Sequence, residues 1–210
     1  MIRLSFLHLR EQIEKRDDHM KQYPFPDKEN SMQILLTDYV RKKIPEEKIQ
    51  EIFDDVWRVG EEQAQEFLRQ YGSQERIDMV NILKENGVKI EQQDIDNVLG
   101  KHRYFCEYLS GKNLLTIYIR SVRLWCENNG FSYEEGLNII LCHEYFHYLE
   151  QNKIGMVSRR YQVPILEVGA LKLGKTGIPA LSEIGANAFA ETCWNYMKRK
   201  EKENAVYKTN

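Results

Sequence analysis

The sequence predicts a mixed α+β protein that is mostly helical and carries a small antiparallel sheet. Apolar residues recur at helical spacing through residues 31–86, which indicates several amphipathic helices. Residues 104–119 are instead rich in β-branched and aromatic side chains, as strands are. Helical spacing returns in residues 132–150 and 181–198, so helices lie on both sides of the strands along the chain.

The composition is that of a folded globular chain. Of the 210 residues, 42% are hydrophobic and 30% are charged, a balance that supports a sizeable core. The formal net charge of −2 argues against direct binding to nucleic acid or to an anionic membrane surface. Apolar stretches are too short to predict a transmembrane helix.

Four cysteines, Cys106, Cys126, Cys142 and Cys193, stand far apart in the sequence. They form no C-x-x-C pair, so neither a zinc ribbon nor a disulfide framework is expected. Isolated cysteines with apolar neighbours suit a reducing compartment. The apolar core of the first residues is too short for a signal peptide, and we therefore expect a cytoplasmic protein.

Four helices are predicted before the strands, and proline, glycine and capping residues mark their ends. They are residues 1–22, a segment capped by Ser31, a segment from Pro45 to Leu68 with a break near Gly60, and a segment capped by Ser73 that ends at Asn86. We expect residues 1–59 to form a helical N-terminal extension ahead of the main domain.

The strand-forming residues predict a β-hairpin. Its strands, residues 104–109 and 114–119, are joined by the turn-forming residues 110–113. A shorter strand is expected at residues 88–90, and a helix at residues 121–128 follows the hairpin. We expect this sheet to pack beside the next helix, with strand 114–119 as an edge on which an extended peptide could pair.

The next helix carries the sequence His143-Glu144-x-x-His147. Residues four apart on an α-helix lie nearly above one another, so both imidazoles can reach one metal ion. Glu144 lies one step round the helix, where it can act as a general base rather than as a ligand. Ser132 and Glu135 have the spacing of a capping box at the start of this helix. The alternative is that both histidines are packing residues with hydrogen-bonded rings.

A catalytic zinc ion usually has three protein ligands and one open position, so a third ligand is needed. The candidates are His102, Glu150, Glu167, Glu183 and Glu191. Glu183 is favoured because it opens the last helix and completes a His₂Glu set, with Glu191 as the alternative. Asn187 lies on the same helix face as Glu183 and could hydrogen-bond a ligating histidine. Glu183 could also simply favour the positive end of the helix dipole.

Residues 152–180 contain four glycines and two prolines, which predict a loop-rich insert, although residues 163–173 could contain a strand. This insert either faces the substrate or is a plain surface excursion. Its Arg159, Arg160 and Tyr161, like His102, are candidates to donate a hydrogen bond to an oxyanion. After the last helix, residues 200–210 are predicted to be a flexible tail.

The helix with His143-Glu144-x-x-His147, followed by Glu183 and Asn187 on a later helix, resembles the ImmA/IrrE family of metallopeptidases. The resemblance covers residues 60–199 and implies a zincin-like domain there. It implies that His143, His147 and Glu183 hold Zn²⁺ and that Glu144 is the general base. It also implies cleavage of a protein partner, often a DNA-binding repressor.

The chain departs from the family pattern in three respects. The spacing from His147 to Glu183 is long for the family, and residues 1–59 lack a convincing form of the helix-turn-helix that many members carry. The third departure is at the position before the second histidine, where the family usually has glycine. Here that position is Phe146, which changes the packing behind the helix and leaves the ligands in place. We therefore predict a zinc-dependent endopeptidase that acts on a specific protein. The alternative is a regulatory, protein-binding module that keeps the zincin fold and does not hydrolyse peptides.

Overall fold

The computed structural model describes residues 23–100, 102–169 and 171–208, so the helix predicted at residues 1–22 lies outside the described residues. The mixed α+β fold class, with helix predominating, is confirmed. The helices are α1 (Lys28–Leu36), α2 (Ile49–Tyr71), α3 (Met79–Glu85), α4 (Ile119–Asn128), α5 (Tyr133–Leu149) and α6 (Ala180–Lys208). The strands are β1 (Lys89–Gln93), β2 (Asn97–Leu99), β3 (His102–Tyr104), β4 (Cys106–Leu109), β5 (Leu114–Tyr118), β6 (Gln162–Val168) and β7 (Leu171–Gly177).

Residue contacts divide the chain into two compact units. The first contains Asp78–Glu144 and therefore all of β1 to β5. The second contains Phe25–Ile77 and the chain from Tyr145 onward, which includes α2, α6 and the β6–β7 pair. Helix α5 is continuous through the boundary between them. The domain boundaries predicted after residues 59 and 199 stay predictions.

A three-stranded sheet organises the first unit, in the order β1-β5-β4. Strand β5 pairs with β4 in antiparallel fashion, which confirms the predicted hairpin, and with β1 in parallel fashion. Asn113, with φ of 47°, supplies the left-handed residue that closes the hairpin turn. Because β5 lies in the centre of the sheet, the prediction that it offers a free edge to a peptide is wrong.

Two helices begin at other caps than predicted. Asp27 rather than Ser31 caps α1, since its carboxylate accepts a hydrogen bond of 2.9 Å from the backbone N–H of Asn30. Asp78 rather than Ser73 caps α3. Aspartate is as good an N-cap as serine, so the local preference does not decide between neighbouring candidates.

Glycines allow close approaches in the second unit. A Cβ at Gly60 would lie 2.3 Å from the carbonyl oxygen of Gly185, so α2 and α6 touch where neither residue has a side chain. The predicted break near Gly60 is wrong, because α2 runs through this position without interruption. At Gly185 itself a Cβ would lie 2.5 Å from Cζ of Phe146.

Aromatic side chains fill the second unit around the last turns of α5. The Phe67 ring lies 5.2 Å from that of Tyr145 and 5.5 Å from that of Phe189. Phe146 is fully buried, with its ring 6.1 Å from that of Phe189. Aromatic pairs at such distances add about 0.5–1.5 kcal/mol beyond the burial of their surface. This core holds the turn of α5 that carries His147.

Two stretches predicted as irregular are ordered elements. Within the insert, β6 and β7 form an antiparallel pair from Gln162 opposite Gly177 to Val168 opposite Leu171. The residues predicted as a flexible tail are helical through Lys208. Tyr196 and Lys200 each donate a hydrogen bond of 2.8 Å to the carbonyl oxygen of Gly72, at the end of α2. These contacts stabilise α6 beyond its predicted end.

Replacing Gly60 with alanine is expected to lower the free energy of unfolding by about 1–3 kcal/mol, the usual cost of overpacking. The added methyl group would meet the backbone of Gly185 and the Cβ of Ala188, at 2.3 and 2.7 Å, and neither is a flexible side-chain end. Urea unfolding measures the change. Gly111→Ala is the matched control, since a Cβ there has no atom within 4 Å. A Gly60→Ala protein as stable as the wild type would contradict this close contact.

Candidate metal centre

The start of helix α5 follows from local sequence. The backbone N–H of Ser132 donates to Glu135 Oε2 at 3.0 Å, and the backbone N–H of Glu135 donates to Ser132 Oγ at 3.3 Å. The predicted capping box is therefore confirmed. Each side chain satisfies a donor that the first helical turn would otherwise leave without a partner.

Helix α5 is buried along its length from Gly136 to Leu149. A helix surrounded by protein on every side is normally apolar all round, so polar side chains within it are unusual. His143, Glu144 and His147 are such side chains, with exposed fractions of 1%, 4% and 1%. Their side chains therefore act inside the protein rather than on a solvated helix face.

The structure brings His143 and His147 together with Glu183. One ligand atom from each side chain lies within 4.8 Å of the others. His147 Nε2 is 3.7 Å from Glu183 Oε1, and the Glu183 side chain is 18% exposed. Glu183 belongs to the first turn of α6, as the sequence predicted. This largely buried His-His-Glu cluster could hold a metal ion.

The composition of this donor set is one that zinc sites use. Two imidazole nitrogens and one carboxylate oxygen are the His₂Glu ligands of one common class of zinc site, which keeps one position open. Zinc binds such atoms at about 2.0–2.2 Å, so two ligand atoms 3.7 Å apart can reach the same ion. The separation of His147 and Glu183 thus suits a shared metal better than a direct hydrogen bond.

The charge of Glu144 acts on Cys106 of strand β4. Burial raises the pKa of the Cys106 thiol well above its usual value, and the charge of Glu144 raises it further. The thiol therefore stays protonated and does not act as a thiolate ligand or nucleophile.

Glu150 has a role that the sequence did not reveal. Its Oε2 lies 2.9 Å from His147 Nδ1, and its Oε1 accepts hydrogen bonds from the backbone N–H of Val157 at 2.8 Å and from Ser182 Oγ at 2.7 Å. Sequence reasoning considered Glu150 only as a third ligand. The sequence does place Glu150 three residues after His147, and this spacing predicts that the two side chains are neighbours on a helix.

Two residues predicted near the metal have other partners in the structure. Asn187 donates a hydrogen bond of 3.1 Å to Ser31 Oγ rather than to a ligating histidine. Glu191, the alternative third ligand, lies apart from the cluster and close to Asp27 and Glu61. Burial raises the pKa of Glu191, and the charges of those two carboxylates raise it further.

Two of the three candidate oxyanion donors of the insert, Arg160 and Tyr161, are engaged elsewhere. Arg160 Nε and Tyr161 OH donate to Asp55 Oδ2 of helix α2, at 2.7 and 3.0 Å. Arg58, one turn further along α2, donates to Asp55 Oδ1 at 2.7 Å. This arrangement fastens the segment before β6 to α2, which is a structural role.

Replacing Asp55 with asparagine is expected to lower the free energy of unfolding by about 1–2 kcal/mol at neutral pH. Burial tends to raise the pKa of Asp55, but the hydrogen bonds from Arg160 and Tyr161 outweigh it, and the pKa is lowered. The ionised Asp55 therefore contributes fully to the free energy of unfolding above its unfolded pKa of about 3.9. This contribution is lost as the pH falls through the lower pKa of the folded state.

Urea unfolding of wild type and Asp55→Asn at pH 7 and near pH 3 measures this difference. Glu62→Gln is the matched control on the same helix, because Glu62 pairs with Arg58 across an exposed 3.3 Å contact. It should cost less than about 0.5 kcal/mol. If the free energy of unfolding of Asp55→Asn stayed below that of the wild type by the same amount down to pH 3, the ionic origin of the effect would be contradicted.

Comparison with known proteins identifies no relative of this chain. No family model matches the chain, and neither a curated protein nor a solved structure matches it significantly. The resemblance to the ImmA/IrrE family therefore stays a prediction from the motifs. Among the helices that the structure describes, none combines the length and the apolar character needed to cross a membrane.

Proposed function

We propose that the chain is a zinc-dependent metalloendopeptidase that hydrolyses a peptide bond in a specific protein partner. The observation that carries this proposal is the cluster of His143, His147 and Glu183 ligand atoms within 4.8 Å of one another. Glu144 adds a buried carboxylate on the same helix, next to the first of the two histidines. A ligand set with an adjacent general base is the minimum that metal-assisted hydrolysis requires.

His143, His147 and Glu183 would hold the ion. Zinc, when bound, supplies a Lewis acid that polarises the peptide carbonyl and makes water a nucleophile near neutral pH. The two histidines supply neutral nitrogen donors from consecutive turns of α5, and the glutamate supplies one negative charge from α6.

Glu144 would move the proton. Its carboxylate takes a proton from the attacking water, holds it on an oxygen, and passes it to the nitrogen of the leaving amine. At 4% exposure the carboxylate lies inside the protein, on the helix that carries both histidines. The neutral thiol of Cys106 does not compete for the same proton.

We further propose that the domain is zincin-like and related to the ImmA/IrrE family. The support is the order of the motif along the chain and the small sheet, β1-β5-β4, which precedes α5 and shares a unit with the residues of α5 up to Glu144. On this proposal the partner is a transcriptional repressor, and the reaction takes place in the cytoplasm. The four cysteines, all buried and free, agree with a reducing compartment.

A comparison of new protein N-termini tests the proposed function. Cells that express the wild-type chain or Glu144→Gln at equal levels are labelled at free N-termini, and the labelled peptides are identified by mass spectrometry. We expect at least one internal cleavage that depends on Glu144, in a protein that then serves as substrate in vitro. Identical N-terminal profiles in both strains, with zinc bound by the wild type, would contradict the peptidase and favour the binding module.

A further inference from the structure

The Glu150 carboxylate is buried inside the second unit, with 1% of the residue exposed. An ionised carboxylate in such a place is costly by several kcal/mol unless donors surround it. The backbone N–H of Val157 and the Ser182 hydroxyl donate to it, and Nδ1 of His147 lies 2.9 Å from it. A buried group with this number of specific partners has a defined position and orientation.

The backbone after α5 brings one of these donors into place. Residues Glu150–Ile154 form a wide π-helical turn, which ends at Gly155 with φ of 78°. A positive φ is accessible to glycine at little cost, so the chain can reverse there. The backbone N–H of Val157 then points back at Glu150 Oε1. A backbone N–H can only donate, which assigns this oxygen as an acceptor.

The remaining carboxylate oxygen faces the His147 ring. Oε2 lies 2.9 Å from Nδ1 of the imidazole. An ionised carboxylate can only accept hydrogen bonds, so opposite an ionised Glu150 it is Nδ1 that carries the proton. Nε2, the atom 3.7 Å from Glu183 Oε1, then presents its lone pair to the cluster.

The same carboxylate also contacts the helix that carries the third ligand. Ser182 Oγ donates to Glu150 Oε1 at 2.7 Å, and Ser182 directly precedes Glu183. The Ser182 side chain is buried, so the bond is shielded from water. One carboxylate thus connects His147 with the first turn of α6.

We propose that Glu150 is the positioning residue of the metal site, a role that rests on the proposed function. It holds His147 with Nδ1 protonated and Nε2 directed at the metal, and through Ser182 it holds the turn that carries Glu183. Hydrogen-bonded partners of this kind typically change metal affinity by about 10–100-fold when they are removed.

Glu150→Gln is the sharpest variant because it keeps the size of the side chain. An amide has one acceptor oxygen and one donor NH₂ group, so it cannot accept from His147 and from Val157 and Ser182 at once. If the NH₂ group faces His147, it favours the tautomer with the proton on Nε2, which cannot bind metal. We expect zinc to dissociate about 10–100-fold more readily from Glu150→Gln than from the wild type.

Two measurements on the full chain test this role. Competition of Zn²⁺ against a chromophoric chelator gives the zinc dissociation constant, and long-range proton–nitrogen NMR correlations of the metal-free protein give the His147 tautomer. Ser182→Ala should weaken zinc binding about fivefold, the effect of one hydrogen bond. Gln151→Ala, on the exposed side of the same turn, is the control and should leave both quantities unchanged.

The outcomes separate the two proposals. A folded Glu150→Gln protein with wild-type zinc affinity and the wild-type tautomer overturns the role of Glu150 and leaves the proposed function standing. A wild-type chain that binds no Zn²⁺ overturns both. If Glu150→Gln does not fold, as judged by circular dichroism, Ser182→Ala decides, and unchanged zinc affinity in that protein overturns the positioning role.

Discussion

Replacing Glu144 with glutamine is expected to slow hydrolysis of the protein substrate by about 10²–10⁴-fold, the usual contribution of a general acid–base group. Glutamine has nearly the same shape but cannot take a proton from water at neutral pH. The residue lies in a buried stretch of α5, where a neutral amide is accommodated more readily than a charge. Initial rates on the partner found by N-terminal labelling measure the effect.

Zinc content distinguishes a chemical defect from a lost metal site. Since Glu144 is not among the clustered ligand atoms, Glu144→Gln should hold as much zinc as the wild type. Glu134→Gln is the matched control, because Glu134 lies in the exposed first turn of the same helix. It should keep wild-type activity. Full activity in Glu144→Gln would refute the assignment of the general base.

Replacing Glu183 with alanine is expected to remove most of the zinc from the purified protein. The wild type should carry about one zinc ion per chain, as one His₂Glu site implies. Loss of a direct ligand should weaken binding by more than the roughly 10–100-fold that removal of an outer partner costs. Elemental mass spectrometry of protein purified without added metal measures the zinc content.

Glu191→Ala is the control for this measurement, since Glu191 lies two turns further along α6 and outside the cluster. It should retain zinc. Retention of zinc by Glu183→Ala together with its loss from Glu191→Ala would move the third ligand to Glu191. A wild-type chain that takes up no zinc even when zinc is supplied would leave the protein-binding module as the better reading.

The parts of the fold set by short-range patterns could be predicted from the sequence. The β4–β5 hairpin, the capping box of α5 and the spacing of His143 and His147 depend on residues close together in the chain. The third ligand is a distant residue, yet Glu183 could be proposed because zinc chemistry limits the choice of side chains. The ligand preferences of zinc thus allowed a residue distant in the sequence to be predicted without knowledge of the tertiary structure.

What could not be predicted depends on contacts between distant segments. Gly60 reads as a helix break until Gly185 is known to touch it, and the α6 extension depends on bonds to Gly72. The β6–β7 pair was obscured by its glycines, which weaken a strand signal. Glu150 lies three residues after His147, but its contact with Ser182 joins segments that are distant in the sequence.

The contact between Phe146 and Gly185 explains how this chain tolerates a large ring directly before the second histidine. The ring occupies the space that a Cβ at position 185 would need. A ring at position 146 therefore requires a residue without a side chain at position 185. Side-chain size at 146 and 185 should covary inversely among homologues, so a search pattern that requires glycine before the second histidine would overlook chains of this kind.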